Sequence, residues 1–228
     1  MIDPFTHAQP SELQAALEQE DDLERRIRAC CAIGDQLRFA ELKALTPGLR
    51  EALVACTKRE EFDDLAYEAS IALCEARDEA GSVLLRLLND KSRRFDATKA
   101  LSRLRGDDVR SVLGKQARRM LLPWPDQLVA SAACAVFGDK EGAAYFEKTL
   151  TARFFTSRRA MALHLFGELR HPEAFVVLMS IAEREGDPYR PVAIRALGHL
   201  GDQRAVEKLR LFSKSEVEED VRYALDLL

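Results

Sequence analysis

Along residues 187–209, apolar positions recur at helical spacing and stop at polar punctuation. Asp187 is suited to cap a helix whose first position is Pro188, where the missing N–H costs nothing. Val192, Ala196 and Leu200 follow at helical intervals as a predicted inner stripe, and Gly201 ends the helix where a left-handed residue is favoured. A second helix is predicted after Asp202, with Ala205, Val206 and Leu209 facing inward.

The same order of helix end, polar turn and new helix appears at Leu169-Arg170-His171-Pro172 with Ala174, and at Phe137-Gly138-Asp139 with Ala143. It appears again at Leu104-Arg105-Gly106-Asp107, at Ala76-Arg77-Asp78 and at Ile33-Gly34-Asp35. With Gly34, Arg77, Arg105, Gly138, Arg170 and Gly201 as equivalent points, the steps are 43, 28, 33, 32 and 31 residues. A settled period of this length is the signature of stacked helix pairs. The long first step holds residues 40–45 and a fresh helix start at Thr46-Pro47, while Ser11-Glu12-Leu13-Gln14 has the spacing of a capping box and opens an N-terminal helix.

These residues resemble HEAT-like repeats, in particular the short variety first described in phycobilisome lyases and common in bacterial proteins. The likeness is best over Asp187–Leu209, good over residues 60–228 and loose over the first 60. The expected fold is all-α: an α-solenoid, or superhelix, of about six HEAT-like antiparallel helix pairs forming one domain over residues 1–228. Within it, residues 1–60 are expected as irregular N-terminal repeats or a cap, 61–215 as regular repeats and 216–228 as a C-terminal capping helix. The last segment, Asp220-Val221-Arg222-Tyr223-Ala224-Leu225, leaves two readings open. Either it caps a monomer, or it offers an apolar edge for a weak homodimer.

Composition agrees with this picture. Apolar residues make up 47% of the 228 and aromatics only 7%, so the core is expected to be Leu, Ala and Val, which suit close helix packing. The longest apolar runs, such as Phe175–Met179, fall far below the ~20 residues that span a bilayer. The start, Met-Ile-Asp-Pro-Phe-Thr-His, has no basic region followed by an apolar one, so a cytoplasmic location is expected. Cys30, Cys31, Cys56, Cys74 and Cys134 lie in apolar helical patterns without a C-x-x-C pair and are read as reduced core residues.

Candidate chemistry is sparse. His7, His164, His171 and His199 form no metal-binding motif, and His164 with Glu168 reads as a solvated pair one helical turn apart. The HEAT-repeat enzyme deoxyhypusine hydroxylase binds di-iron through His-Glu dipeptides, and this chain has none. Phosphate-binding glycine motifs and G-x-S-x-G are absent too. No catalytic residue, metal or cofactor is expected, and carboxylate pairs such as Asp21-Asp22, Glu60-Glu61 and Asp63-Asp64 read as helix starts.

Charge changes the picture. The net charge of −4 divides into −9 over residues 1–85, +7 over 86–119 and −2 over 120–228. Helical projection turns Lys99 and Arg103 away from the Ala97, Ala100, Leu101 and Leu104 stripe, and Lys115 and Arg118 away from Val109, Leu113 and Ala117. Arg93, Arg94 and Arg119 lie nearer the helix edges, with Arg153, Arg158 and Arg159 extending the track. Such a stretch reads either as solvated faces with Arg–Asp ladders between repeats or as a stripe for an acidic protein segment. Trp124, inside Pro123-Trp124-Pro125, reads as a joint plug or a contact anchor.

The resulting expectation is a non-catalytic adaptor or scaffold that grips a protein partner through Arg94, Lys99, Arg103, Lys115, Arg118, Arg119 and Trp124. Two alternatives stand beside it: a bilin-lyase-like protein, for which the chain offers no matching functional residue, and a nucleic-acid-binding protein resembling HEAT-like DNA glycosylases. A single Trp and a pI near 5.7 disfavour nucleic acid.

Overall fold

A computed structural model describes residues 5, 7–19, 21–39, 41–58, 62–119, 121–152, 156–212 and 216–228. Among them stand thirteen α-helices and one 3₁₀ helix, with no strand. The chain divides into two compact halves, Met1–Val109 and Arg110–Leu228.

In the first half, α1 (Pro10–Glu18), α2 (Leu23–Arg38), α3 (Pro47–Thr57), α4 (Asp64–Glu75), the 3₁₀ helix Glu79–Asn89 and α5 (Arg94–Leu101) follow one another. Helix α4 packs beside both α2 and α5, making a row, while α1 packs on α2 and α3, α3 on α4, and the 3₁₀ helix on α4 and α5. Leu13, Leu17, Ile33, Leu49, Leu53, Leu65 and Leu73 fill the space between and are fully or almost fully buried. Burial of each contributes about 1.5–3 kcal/mol.

Helix α6 (Asp107–Ala117) carries the division between the halves. Beyond it come α7 (Trp124–Phe137), α8 (Lys140–Leu150), α9 (Thr156–Glu168), α10 (Ala174–Ala182), α11 (Arg190–Leu200), α12 (Arg204–Leu211) and α13 (Glu218–Asp226). Here α7, α9, α11 and α13 lie side by side, with α8 against α7 and α9, α10 against α9 and α11, and α12 against α11 and α13. Small residues set that spacing. A Cβ added to Gly167 would stand 2.1 Å from the Ala196 carbonyl oxygen of α11, and one on Gly198 would stand 2.7 Å from the Ala224 Cα of α13.

Helix ends explain most of the repeat. Arg77, Gly138, Arg170 and Gly201 all have positive φ, between 53° and 77°. At the first three, the N–H of the next residue returns to a carbonyl five positions back: Asp78 to Leu73, Asp139 to Cys134 and His171 to Phe166. This is the Schellman closure, which satisfies carbonyls that the helix leaves open. The returning residue then starts the next helix, as Asp78 accepts the Ala80 N–H, Asp139 that of Gly142 and His171 Nδ1 that of Glu173. At the fourth point Asp202 accepts the Arg204 N–H.

Several expected details change. Gly34 is not a helix end: α2 runs on to Arg38 because Ile33 and Gly34 are buried against the rest of the first half. Neither Arg105 nor Gly106 is left-handed, since α5 stops earlier, at Leu101. Asp187 does not cap Pro188; it accepts the Tyr189 N–H in a turn, and α11 begins at Arg190. The buried face of α11 is Ala193, Ile194, Ala196 and Leu197, while Val192 and Leu200 are only half-buried. Helix α1 begins at Pro10, one residue before Ser11, with Glu12 accepting the Gln9 N–H. The start at Thr46-Pro47 is as expected, with Thr46 Oγ1 accepting the Leu49 N–H.

At the C-terminus, α13 buries Val221 and Ala224 while exposing Glu218, Glu219, Arg222 and Asp226.

Candidate functional site

The cations predicted to meet a partner are held in different ways. Arg94 is buried, and its guanidinium donates to the Leu88 and Asn89 carbonyls at 2.7 and 3.4 Å, closing the end of the 3₁₀ helix. The same device recurs along the chain. Gln127 donates to the Ala117 carbonyl, Arg159 to that of Leu150 and Arg190 to that of Ala182. These four residues are 33, 32 and 31 positions apart, so each belongs to the repeat itself.

Arg103 also departs from its expected place in solvent. Its side chain is 12% exposed and its Nε lies 3.3 Å from Glu75, which Arg38 grips at 3.0 and 3.2 Å. Lys99 is largely covered, with Asp96 at 3.8 Å. Arg118 reaches Asp139 at 3.2 Å and Glu141 at 3.7 Å, an Arg–Asp rung of the kind expected between repeats, as is Arg50 with Asp78. Lys115 and Arg119 are exposed. Trp124 is half-buried as the first residue of α7, with the Arg158 guanidinium 5.4 Å from its ring. Arg153 lies outside the described residues, as do Glu60 and Glu61.

The row α2, α4 and α5 encloses a cleft of about 300 Å³ that sequence reading did not single out. Cys30, Gly34, Ile71 and Ala100 supply its small and apolar lining; Asp35, Glu68, Asp96, Arg38 and Lys99 supply charge. Burial raises the Asp35 carboxyl pKa, with Glu75 adding to it while Arg38 opposes. Burial likewise raises that of Glu68, opposed by a hydrogen bond from the Cys31 thiol and reinforced by Asp35, Asp64 and Asp96. Tyr67 is pushed up by burial and then by Asp96 and Glu68. Asp35, Glu68 and Lys99 are 33 and 31 residues apart. That spacing is the signal available beforehand: polar residues one repeat apart on neighbouring helices of a row arrive side by side.

The second half carries a polar chain on its own row. His164 Nε2 lies 3.2 Å from the carboxylate of buried Glu168, and its ring meets that of His199 edge-on at 4.9 Å. His199 Nε2 and the Tyr223 hydroxyl are 3.2 Å apart, and Arg195 stacks over Tyr223 while pairing with Asp220. Thus the His164–Glu168 pair belongs to a longer chain through α9, α11 and α13. Among the described residues no group of three or more His, Cys, Asp or Glu is arranged to hold a metal ion, and no helix is long and apolar enough to cross a membrane.

Residues 143–228 match the family model described as HEAT repeats. No curated protein matches the chain. Among solved structures, the complex of CpcE and CpcF of phycocyanin lyase from Nostoc sp. PCC7120 is similar at 20% identity and a TM-score of 0.52, covering 97% of this chain and 95% of that chain. Human deoxyhypusine hydroxylase in complex with glycerol is 16% identical with a TM-score of 0.38, covering 96% of this chain and 83% of that one.

Proposed function

We propose that this chain, a HEAT-like repeat protein of the α-solenoid fold, is a non-catalytic adaptor that binds another protein, and that the α2–α4–α5 cleft receives a basic side chain of that partner. The observation that carries this reading is the pair Asp35 and Glu68, two carboxylates on neighbouring helices that line one cleft and both have raised pKa values, Glu68 half-buried and Asp35 with its side chain 61% exposed. A lysine or arginine entering the cleft would favour the charged form of both carboxylates, and charge-assisted hydrogen bonds are the stronger kind. Glu75 is engaged by Arg38 and Arg103, whereas Asp35 has only the longer 3.7 Å approach of Arg38, so an incoming cation would find its acceptors in Glu68 and Asp35.

The competing partner is an acidic segment read by the +7 stretch of residues 86–119. Exposed Lys115 and Arg119 favour it, whereas Arg94, Arg103 and Arg118 are spent on contacts within the fold. A bilin-lyase-like role rests on the similarity to the CpcE–CpcF complex, whose 20% identity speaks to fold alone.

Binding to an array of short peptides of varied charge separates the two partners. Selection of Lys- and Arg-containing peptides, lost in the Asp35→Asn/Glu68→Gln double variant, is the expected result. Selection of acidic peptides, lost on charge reversal at Lys99, Arg103, Lys115 and Arg118, would overturn it in favour of the basic stretch.

A further inference from the structure

We propose that Cys30 and Cys56 form a redox-responsive dithiol, in which Arg26 holds Cys56 as the attacking thiolate and Cys30 closes the bridge between α2 and α3. Both sulfurs are buried, with residue exposures of 0 and 1%, and the two thiol groups are hydrogen-bonded to each other. Arg26 and Cys30 lie four residues apart on α2, so guanidinium and thiol fall on one face of that helix. The Arg26 Nη2 is 3.5 Å from the Cys56 sulfur.

Arg26 has no reason of its own to be there. Among the described residues it pairs with no carboxylate, and its Nε is buried without an acceptor. A cation so placed favours the thiolate of the sulfur beside it. Cys30 is held in the opposite state, since its hydrogen bond to Cys56, burial and the charge on Cys56 all raise its pKa. One sulfur is therefore set up to attack and the other to remain a thiol until it is needed. The remaining buried cysteines differ: burial pushes Cys74 well up and Cys134 up to about 12 against the opposing charges of Arg103 and Arg118, and among the described residues no guanidinium hydrogen bond to either sulfur is present.

The co-reactant is a small hydroperoxide, able to enter during local opening of the first half. The Cys56 thiolate attacks one peroxide oxygen, an S–O bond forms as the O–O bond breaks, and the departing oxygen takes a proton from water. The Cys30 sulfur then attacks Cys56, and an S–S bond forms as the S–O bond breaks. Hydroxide leaves with the Cys30 proton as water. Two thiols supply two electrons, and the hydroperoxide becomes one alcohol, or water, plus one water.

The test is to treat the folded chain with hydrogen peroxide, alkylate the remaining thiols and map the peptides by mass spectrometry. A Cys30–Cys56 cross-link that dithiothreitol reverses is expected, with Cys31, Cys74 and Cys134 alkylated. Arg26→Gln is expected to slow its formation about threefold or more, and Arg26→Lys to retain most of the rate. A bridge through Cys31, no bridge in the folded wild type, or an unchanged rate in Arg26→Gln overturns the proposal. The wild-type cross-link needs no variant to fold.

Discussion

Gly167→Ala and Gly34→Ala place the same methyl group in two helices with opposite expected results. Away from packing constraints, alanine in a helix interior is better than glycine by about 1 kcal/mol. At Gly34 the nearest atom to an added Cβ is the Ala72 Cα at 3.7 Å, an ordinary contact, so the propensity gain survives and the variant is expected to be more stable by about 0.5–1 kcal/mol. At Gly167 the Cβ would meet the Ala196 carbonyl oxygen at 2.1 Å, a distance real Cβ atoms do not adopt. Backbone cannot rotate away, so α9 and α11 must separate by about 1 Å, and overpacking of this kind typically costs about 1–3 kcal/mol. Separation also thins the contacts on either side, because a gap of about 0.5–1 Å forfeits a quarter to a half of each dispersion well. Those losses exceed the propensity gain, and the net expectation is destabilisation by about 1–3 kcal/mol. Urea unfolding followed by circular dichroism reads both changes, with slopes near ~1–3 kcal/mol per molar converting them into midpoint shifts of opposite sign. A Gly167→Ala midpoint at or above wild type would refute the close approach of α9 and α11.

Glu68→Gln is expected to stabilise the chain at neutral pH, because burial holds the Glu68 pKa above its ordinary value of 4.5 and folding must then accommodate the charge. The advantage should vanish below pH 4.5, where the unfolded chain is protonated too, and thermal melts across pH would show it. Arg190→Met keeps the apolar stem but strips the cap from the Ala182 carbonyl and leaves that acceptor buried, a loss of about 1–3 kcal/mol measurable by urea unfolding. His171 has its pKa lowered by burial despite Glu173 and Glu147, so the unfolded state binds the proton more readily and stability should fall as pH drops through 6.5. His171→Asn should flatten that slope in melts between pH 5 and 8.

The fold was legible because helix ends are written locally. Gly138-Asp139 and Gly201-Asp202 announce a left-handed residue and the start of the next helix, and Arg77-Asp78 follows the same grammar without the glycine. Gly34 misled because a glycine inside a helix and one just past its end look alike until the neighbouring Ala72 is known. Charge was less legible. Arg94 and Arg119 both read as arginines at helix edges, yet Arg94 opens α5 and is buried against carbonyls while Arg119 lies beyond the end of α6 in water, and this depends on where each helix begins and ends. The cleft is harder to see for a related reason: Asp35 reads as a turn residue after Gly34 and Glu68 belongs to no motif, and the two acquire meaning only when the helices bring them together.

The series Arg94, Gln127, Arg159 and Arg190 has a consequence in time as well as in space. Each reaches backward to carbonyls of the element made just before it, so a finished helix keeps an open end until the following one has been synthesised. At ribosomal rates of ~5–20 residues per second, those ends wait from about a third of a second to about two seconds. Emergence of the chain from N- to C-terminus is thus the order in which its seals can be set. A truncation that removes a later repeat unseals the one before it, whereas loss of an earlier repeat leaves its successors with an idle donor.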